Sequence, residues 1–169
     1  ALMLDGAAGH DPADPLSFQH TGESFVGALQ HADMPRRVGF SPDLGVVPME
    51  PEVAQVCEAA AERFSEIGAQ VDRYAPDFSG AIEAFQTLRG VLIAQMMESI
   101  LQQHRERIAP EIIWNIEKGL AVTNAQLLDA ERVRSGLYQR ITAFFEEYDL
   151  LLCPTVSVPP FPKEQRYVE

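Results

Sequence analysis

Chemistry at a carbonyl needs a nucleophile, a base to deprotonate it and donors for the developing oxyanion, so serines, lysines and glycines come first. A serine hydroxyl attacks poorly until a neighbouring base removes its proton, and adjacent glycines let backbone N–H groups approach the oxyanion. The eleven glycines here are scattered, with no two adjacent, and no serine stands in a Gly-x-Ser-x-Gly setting. The only lysines, Lys118 and Lys163, read as a helix end and an exposed terminal loop. No catalytic residue is therefore assigned in this chain. His10, His20, His31 and His104 lack metal-ligand spacing with cysteines or carboxylates, so no metal site is expected. Glu50, Glu52, Glu58 and Glu62 read as a solvated helix face, and Glu146-Glu147 before Asp149 as an acidic helix end. Gly39 and Gly45 do not make a phosphate loop, because the spacing is wrong and no Lys-Ser or Lys-Thr follows. No cofactor is implied.

Composition narrows the partners. Of 169 residues, 13 are basic and 25 acidic, a net charge of −12, and neutralising a run of phosphates needs clustered Lys and Arg, whereas only two lysines are present. Nucleic acid and anionic membrane surfaces are not expected partners. No apolar run approaches the roughly 20 residues of a membrane span. The first residues do not read as a signal peptide, since a basic leader is missing and Asp5 interrupts the apolar run. Cys57 and Cys153, far apart and in apolar settings, read as buried free thiols of a reducing cytoplasm.

The elements that must position any site follow from punctuation and period. Residues 1–35 read as a helix stub and loop: Leu2, Met3 and Leu4 are apolar with no capping residue before them, and Gly6 and Gly9 end the turn. A short helix is placed around Ser24 to Leu29. Residues 36–76 read as a βαβ unit with a strand at Arg37–Ser41, a helix opened by Pro51 and a strand at Gln70–Tyr74. Val53, Val56, Cys57, Ala60, Phe64 and Ile67 form that helix's apolar face, and Gly68 closes it. Residues 79–148 read as a helical block. Ser79 is expected to cap a helix with Ile82, Phe85, Leu88 or Arg89, Leu92 and Met96 on one face. Pro110 starts a new helix and Gly119 ends it. Thr123 with Gln126 forms a capping-box pattern before a last helix whose stripe is Leu127, Leu137, Ile141, Phe144 and Phe145. Residues 149–169 read as a strand, Leu150–Cys153, and a Pro-rich loop. The strands, all apolar runs, are expected to be buried under helices. The fold class is α/β, helix-rich, with a short and mostly parallel sheet.

The terminal run from Tyr148 through Leu-Leu-Leu-Cys153-Pro-Thr155 to Tyr167, and the opening Ala1-Leu-Met-Leu-Asp-Gly to Ser17, resemble the amidase signature family. So do Arg37–Gly45 with Pro51 onward, and Phe85-Gln-Thr-Leu-Arg-Gly90. The resemblance implies a partial amidase signature fold and, in the complete enzyme, hydrolysis of a carboxamide C–N bond through a seryl acyl-enzyme. The family's Ser–Ser–Lys triad maps onto no position here, and the resemblance places it before Ala1, with further sheet after Glu169. It also implies a substrate-facing role for Trp114, Thr155, Phe161 and Tyr167. Beside that role stand a core-packed Trp114 and a rigid surface loop held by Pro154, Pro159, Pro160 and Pro162.

The expected partners are a small-molecule amide and the remainder of an amidase domain, with the chain by itself inactive. A homodimer or swapped assembly is expected through the Leu2–Leu4 stub or the Pro-rich tail, because truncated sheets leave open edges. Two other readings stand beside this one: a non-catalytic α/β binding or interaction module, and one subunit of a split amidase.

Overall fold

A computed structural model describes residues 1–20 and 22–165. Tyr167 therefore lies outside the described residues. The chain divides into two compact units, Ala1–Pro35 and Arg36–Glu169.

The first unit holds α1 (Leu2–Ala7) and α2 (Phe25–Ala28). Ser24 caps α2 by accepting from the Gly27 N–H. Asp5 on α1 completes that end, its Oδ1 and Oδ2 accepting from the N–H groups of Phe25 (2.6 Å) and Val26 (3.1 Å). A carboxylate from one short helix thus satisfies the orphan donors of the other.

The second unit is built on a three-stranded parallel sheet of β1 (Arg37–Phe40), β2 (Gln70–Asp72) and β3 (Leu150–Leu152), in the order β2-β1-β3. Val38 lies opposite both Val71 and Leu150, which fixes the register on either side of the central strand. Helix α3 (Pro51–Glu66) links β1 to β2 in the expected βαβ unit, and Gly68, at φ 93°, makes the left-handed turn after it. Burial is less even than the apolar runs imply. Val38, Gly39 and Phe40 are buried, whereas Gln70 and Leu150 are exposed and the rest of β2 and β3 is half-buried. The physical reason is position: β1 has a hydrogen-bonded neighbour on each side, and the other two strands are edges.

The helical block comprises α4 (Ala81–His104), a single 3₁₀ turn (Arg105–Arg107), α5 (Pro110–Leu120) and α6 (Asn124–Phe144). Thr123 and Gln126 form the reciprocal capping box at the start of α6. Two expected helix boundaries differ. The residue at the start of α4 is Gly80, at φ 77°, because Ser79 is bound backwards to Asp77 through both its N–H and its hydroxyl, each at 2.8 Å. Gly119 does not end α5, which continues to Leu120; instead it is buried where α5 crosses α4 at Gly90.

The predicted apolar faces are only partly covered. On α4 the buried residues are Ala84, Gly90, Ala94 and Leu101, while Phe85, Leu92 and Met96 are exposed. On α3 only Ala61 is buried, and Val56 and Ile67 are open. On α6 Phe144 is buried and Phe145 is not. The crossing of α4 with α5 explains the first case, since close helix approach selects small residues for the contact and turns the large ones outward. Cys57 is half-buried and Cys153 exposed, both as free thiols, so the expected burial of Cys153 does not hold. It follows the end of an edge strand and nothing in the described residues covers it.

Gly39 joins the two halves of the core. A Cβ there would lie 2.7 Å from both the Phe144 ring and the Tyr74 carbonyl oxygen, so only glycine lets α6 reach the sheet. Phe144 stacks on Tyr148 at 4.5 Å between centroids with an interplanar angle of 4°. No helix among the described residues is long and apolar enough to cross a membrane.

Candidate functional site

In open parallel sheets, ligands bind beyond the carboxyl ends of the strands, where the connecting loops can present side chains without breaking the ladder. Here that edge is formed by the turn after β1 and the Pro-rich loop after β3. The Ser41 N–H donates to the Leu152 carbonyl at 3.0 Å, and the Glu50 N–H donates to the Ser157 carbonyl at 2.9 Å. The second bond pins the loop to the start of α3. Between these anchors the chain turns on itself: Ser41 Oγ accepts from the Leu44 N–H (2.9 Å) and Asp43 Oδ1 from the Gly45 N–H (2.7 Å). Leu44 and Gly45 are both left-handed, at φ 52° and 68°. For a leucine that conformation costs energy that the surrounding hydrogen bonds must offset. Pro42, Asp43 and Gly45 are ordinary turn residues, but nothing in the sequence signals a left-handed Leu44.

Thr155 and Phe161 stand in the loop at this edge, both exposed. Trp114 is elsewhere, on α5 in the helical block. It is 57% exposed and so is not a core aromatic. Its ring carries the Lys118 ammonium 4.9 Å from the centroid, one helical turn on. Asn115 beside it accepts from the Arg89 guanidinium at 2.8 Å and donates to the Glu111 carbonyl at 2.7 Å, which bridges α5 to α4. The sequence-predicted positions thus fall on two different elements.

The opposite edge of the sheet holds a charged network that sequence reasoning missed. Arg37 donates to Asp72 Oδ2 (3.1 Å), Glu147 Oε2 (3.2 Å) and Tyr148 Oη (3.0 Å), and the Tyr148 hydroxyl donates to Asp72 (3.0 Å). The Asp72 carboxyl is held below its usual range by Gln70 and then by Arg37. Burial, followed by the hydrogen bond to Asp72, pushes the Tyr148 phenol up. Asp149 Oδ2 accepts from the backbone N–H groups of Arg37 (2.9 Å) and Arg36 (2.7 Å), and these two bonds lower its pKa. Apart from Gln70, which bonds Asp72 from two residues away, the side-chain partners lie more than thirty positions apart in sequence, so local spacing could not have signalled the network. The network joins Arg37 at the start of β1 to Asp72, the last residue of β2, and to Glu147 and Tyr148 just before β3.

Nucleophile chemistry has one further candidate that the sequence reading did not single out. His10 Nδ1 lies 3.2 Å from Ser17 Oγ. The hydroxyl's single proton is shared between the Asp11 and Asp14 carbonyls (2.9 and 2.7 Å), and its oxygen accepts from the Asp11 N–H (2.8 Å). It is a loop staple with its proton committed to backbone. Among the described residues no group of three or more His, Cys, Asp and Glu side chains could hold a metal ion.

Comparison with known proteins gives the chain its family. A family model for amidases matches residues 1–168. The chain is 30% identical to an acylamidase of Rhodococcus erythropolis, covering 98% of this chain and 35% of the relative. It is 26% identical to an amidase of Pseudomonas putida, over 94% of this chain and 34% of that protein. A solved bacterial aryl acylamidase of the amidase signature family superposes with a TM-score of 0.74 at 22% identity, over 90% of this chain and 33% of that one. A 6-aminohexanoate cyclic dimer hydrolase gives 0.73 at 19%, over 94% and 35%. At these identities the structural likeness is one of fold, and the chain spans 33–35% of the length of each of these four relatives. Matched along essentially its whole length, the chain belongs to the amidase signature family.

Proposed function

We propose that these 169 residues serve an amidase-type hydrolase that cleaves a carboxamide C–N bond through a seryl acyl-enzyme. In this reading the chain supplies sheet scaffold and a substrate-facing lobe, while serine, base and oxyanion donors come from the rest of the amidase domain. The observation that carries it is the pinned loop after β3, which sets Thr155 at the carboxyl edge of the parallel strands, where such folds receive ligands. The family match supports the reaction class, and the lack of any serine in a Gly-x-Ser-x-Gly setting in this sequence supports the division of labour. Trp114, Thr155, Phe161 and Tyr167 are the proposed substrate-lining residues.

Two further features belong to the same reading. The free thiols of Cys57 and Cys153 fit a cytoplasmic setting. Leu2 and Met3 are 79% and 88% exposed, which fits a homodimer or swapped assembly of the isolated chain through that helix. Light scattering that gives a monomer at high concentration removes the dimer from the proposal.

The test of activity is an amide panel combined with a serine-directed fluorophosphonate probe. The chain alone is expected to show neither turnover nor labelling. In an amidase that contains this segment, Thr155→Trp should raise KM for the amide with little change in expression. Labelling of a serine in the chain alone, with turnover lost when that serine becomes alanine, overturns the proposal.

A further inference from the structure

Two exposed side chains of α4, Phe85 and Leu92, together with the half-buried Leu88, face Leu127, Val133 and Leu137 of α6 across an open groove of about 780 Å³. That volume lies within the roughly 300–1,000 Å³ of small-molecule sites, whose walls are mostly apolar with a few polar groups that fix orientation. The polar groups in this groove are Arg89, Gln95, Glu131 and Arg134. Arg134 pairs with Glu131 one turn away on its own helix, so those two charges offset each other. Arg89 is different. The residue is half-buried, its hydrogen-bond partner among the described residues is the neutral Asn115 carbonyl oxygen, and no carboxylate of the described residues lies within ion-pair distance. A guanidinium offers five N–H donors and loses hydration on partial burial, a cost that a counter-ion ordinarily offsets. In a chain of net charge −12 the groove thus keeps on its apolar wall one positive charge that no carboxylate of the described residues pairs.

We infer that the groove between α4 and α6 binds an apolar carboxylate, a fatty or arylalkyl acid whose carboxyl group pairs with Arg89 and whose hydrocarbon body covers Phe85, Leu88 and Leu92. The planar fork of the guanidinium matches a carboxylate in bidentate geometry, and the uncovered apolar wall supplies the driving force for the tail. Asn115 holds the guanidinium at the groove wall from behind and leaves donors free.

The test uses the full chain and octanoate as probe, followed by isothermal titration and by fluorescence of Trp114, the only tryptophan, whose neighbour Asn115 contacts Arg89. Saturable one-to-one binding is expected. Octanol and octylammonium should bind about 10- to 100-fold more weakly, the range for a charge-assisted hydrogen bond. Arg89→Met should lose the preference for the acid, and Arg89→Lys should keep most of it. Leu92→Glu, at an exposed position that tolerates a polar side chain in the folded protein, should abolish binding. Equal affinity for octanoate and octanol, unchanged binding in Arg89→Met, or no saturable binding at all overturns the inference. If Arg89→Met does not fold, the comparison of acid, alcohol and amine on the unaltered chain still decides it. The readout is binding by this chain, so its result is separate from that of the amide-cleavage proposal.

Discussion

Gly119 of α5 lies directly against the backbone of Gly90 of α4, so closely that a Cβ on Gly119 would overlap the Gly90 carbonyl group and approach the Ala94 Cβ to 2.9 Å. Neither side of this contact can yield by rotating a side chain, because the obstructing atoms are backbone. The two helices are held at a separation that only glycine permits.

Gly119→Ala should therefore destabilise the second unit by about 1–3 kcal/mol, the usual cost of overpacking a well-fitted contact. Gly136 in α6 is the control, since its nearest obstacle is the mobile end of Arg140 at 3.4 Å. Gly136→Ala should stabilise the protein by about 0.5–1 kcal/mol through helix propensity. Urea denaturation midpoints for the two variants should move in opposite directions.

The start of α6 tests a smaller effect. Thr123→Ala removes the hydroxyl that accepts from the Gln126 N–H and should cost about 1 kcal/mol. Thr123→Ser should keep most of the stability, since the acceptor remains. Thermal unfolding by circular dichroism separates the two; equal losses would mean that the cap contributes nothing.

Stability should fall in acid through Asp72 and Asp149. Both are held below their usual pKa, Asp72 by Gln70 and Arg37, Asp149 by the N–H groups of Arg37 and Arg36. A lowered folded pKa means stability that is present above the unfolded value of about 3.9 and is lost as pH falls through the folded one. Asp149→Ala should remove part of that acid dependence, so the urea midpoint of the variant should change less between pH 5 and pH 2 than that of the unaltered chain. Tyr148 has the opposite sign: its raised pKa contributes stability below about pH 10 that is lost above it.

Gly39→Ala should disrupt the joint between α6 and the sheet, since the added methyl would meet the Phe144 ring and the Tyr74 carbonyl together. The expected loss is about 1–3 kcal/mol. A near-ultraviolet circular dichroism change should accompany it, because Phe144, Tyr148 and Tyr74 form one aromatic cluster. An unchanged aromatic spectrum would count against the joint.

What could be read from the sequence were the features that local chemistry writes down. The βαβ unit, the helix starts at Pro110 and Thr123 and the strand at Leu150 are each marked by a proline, a capping pair or an apolar run. What could not be read were features set by partners remote in the chain. Gly119 looks like a stop signal until Gly90 is placed beside it, and Ser79 looks like a cap until Asp77 takes its hydroxyl. The apolar period of α4 correctly marks a helix and puts Phe85 and Leu92 on one face, but the residues of α4 that are buried are Ala84, Gly90, Ala94 and Leu101. For the candidate site, the Pro-rich run gave the loop, and only the strand order showed which edge of the sheet it occupies.

The order β2-β1-β3 also sets a timetable for synthesis. The end of β2 at Asp72 and the start of β3 at Leu150 are 78 residues apart, so at about 5–20 residues per second a ribosome takes about 4–16 s to deliver the second neighbour of β1 after the first is made. In that interval β1 is flanked by β2 alone, with an apolar edge open to whatever nascent or chaperone surface is at hand. The three helices made meanwhile rest on contacts near in sequence and can form early. The central strand of the sheet is thus made before either of its neighbours and is closed only when β3 arrives.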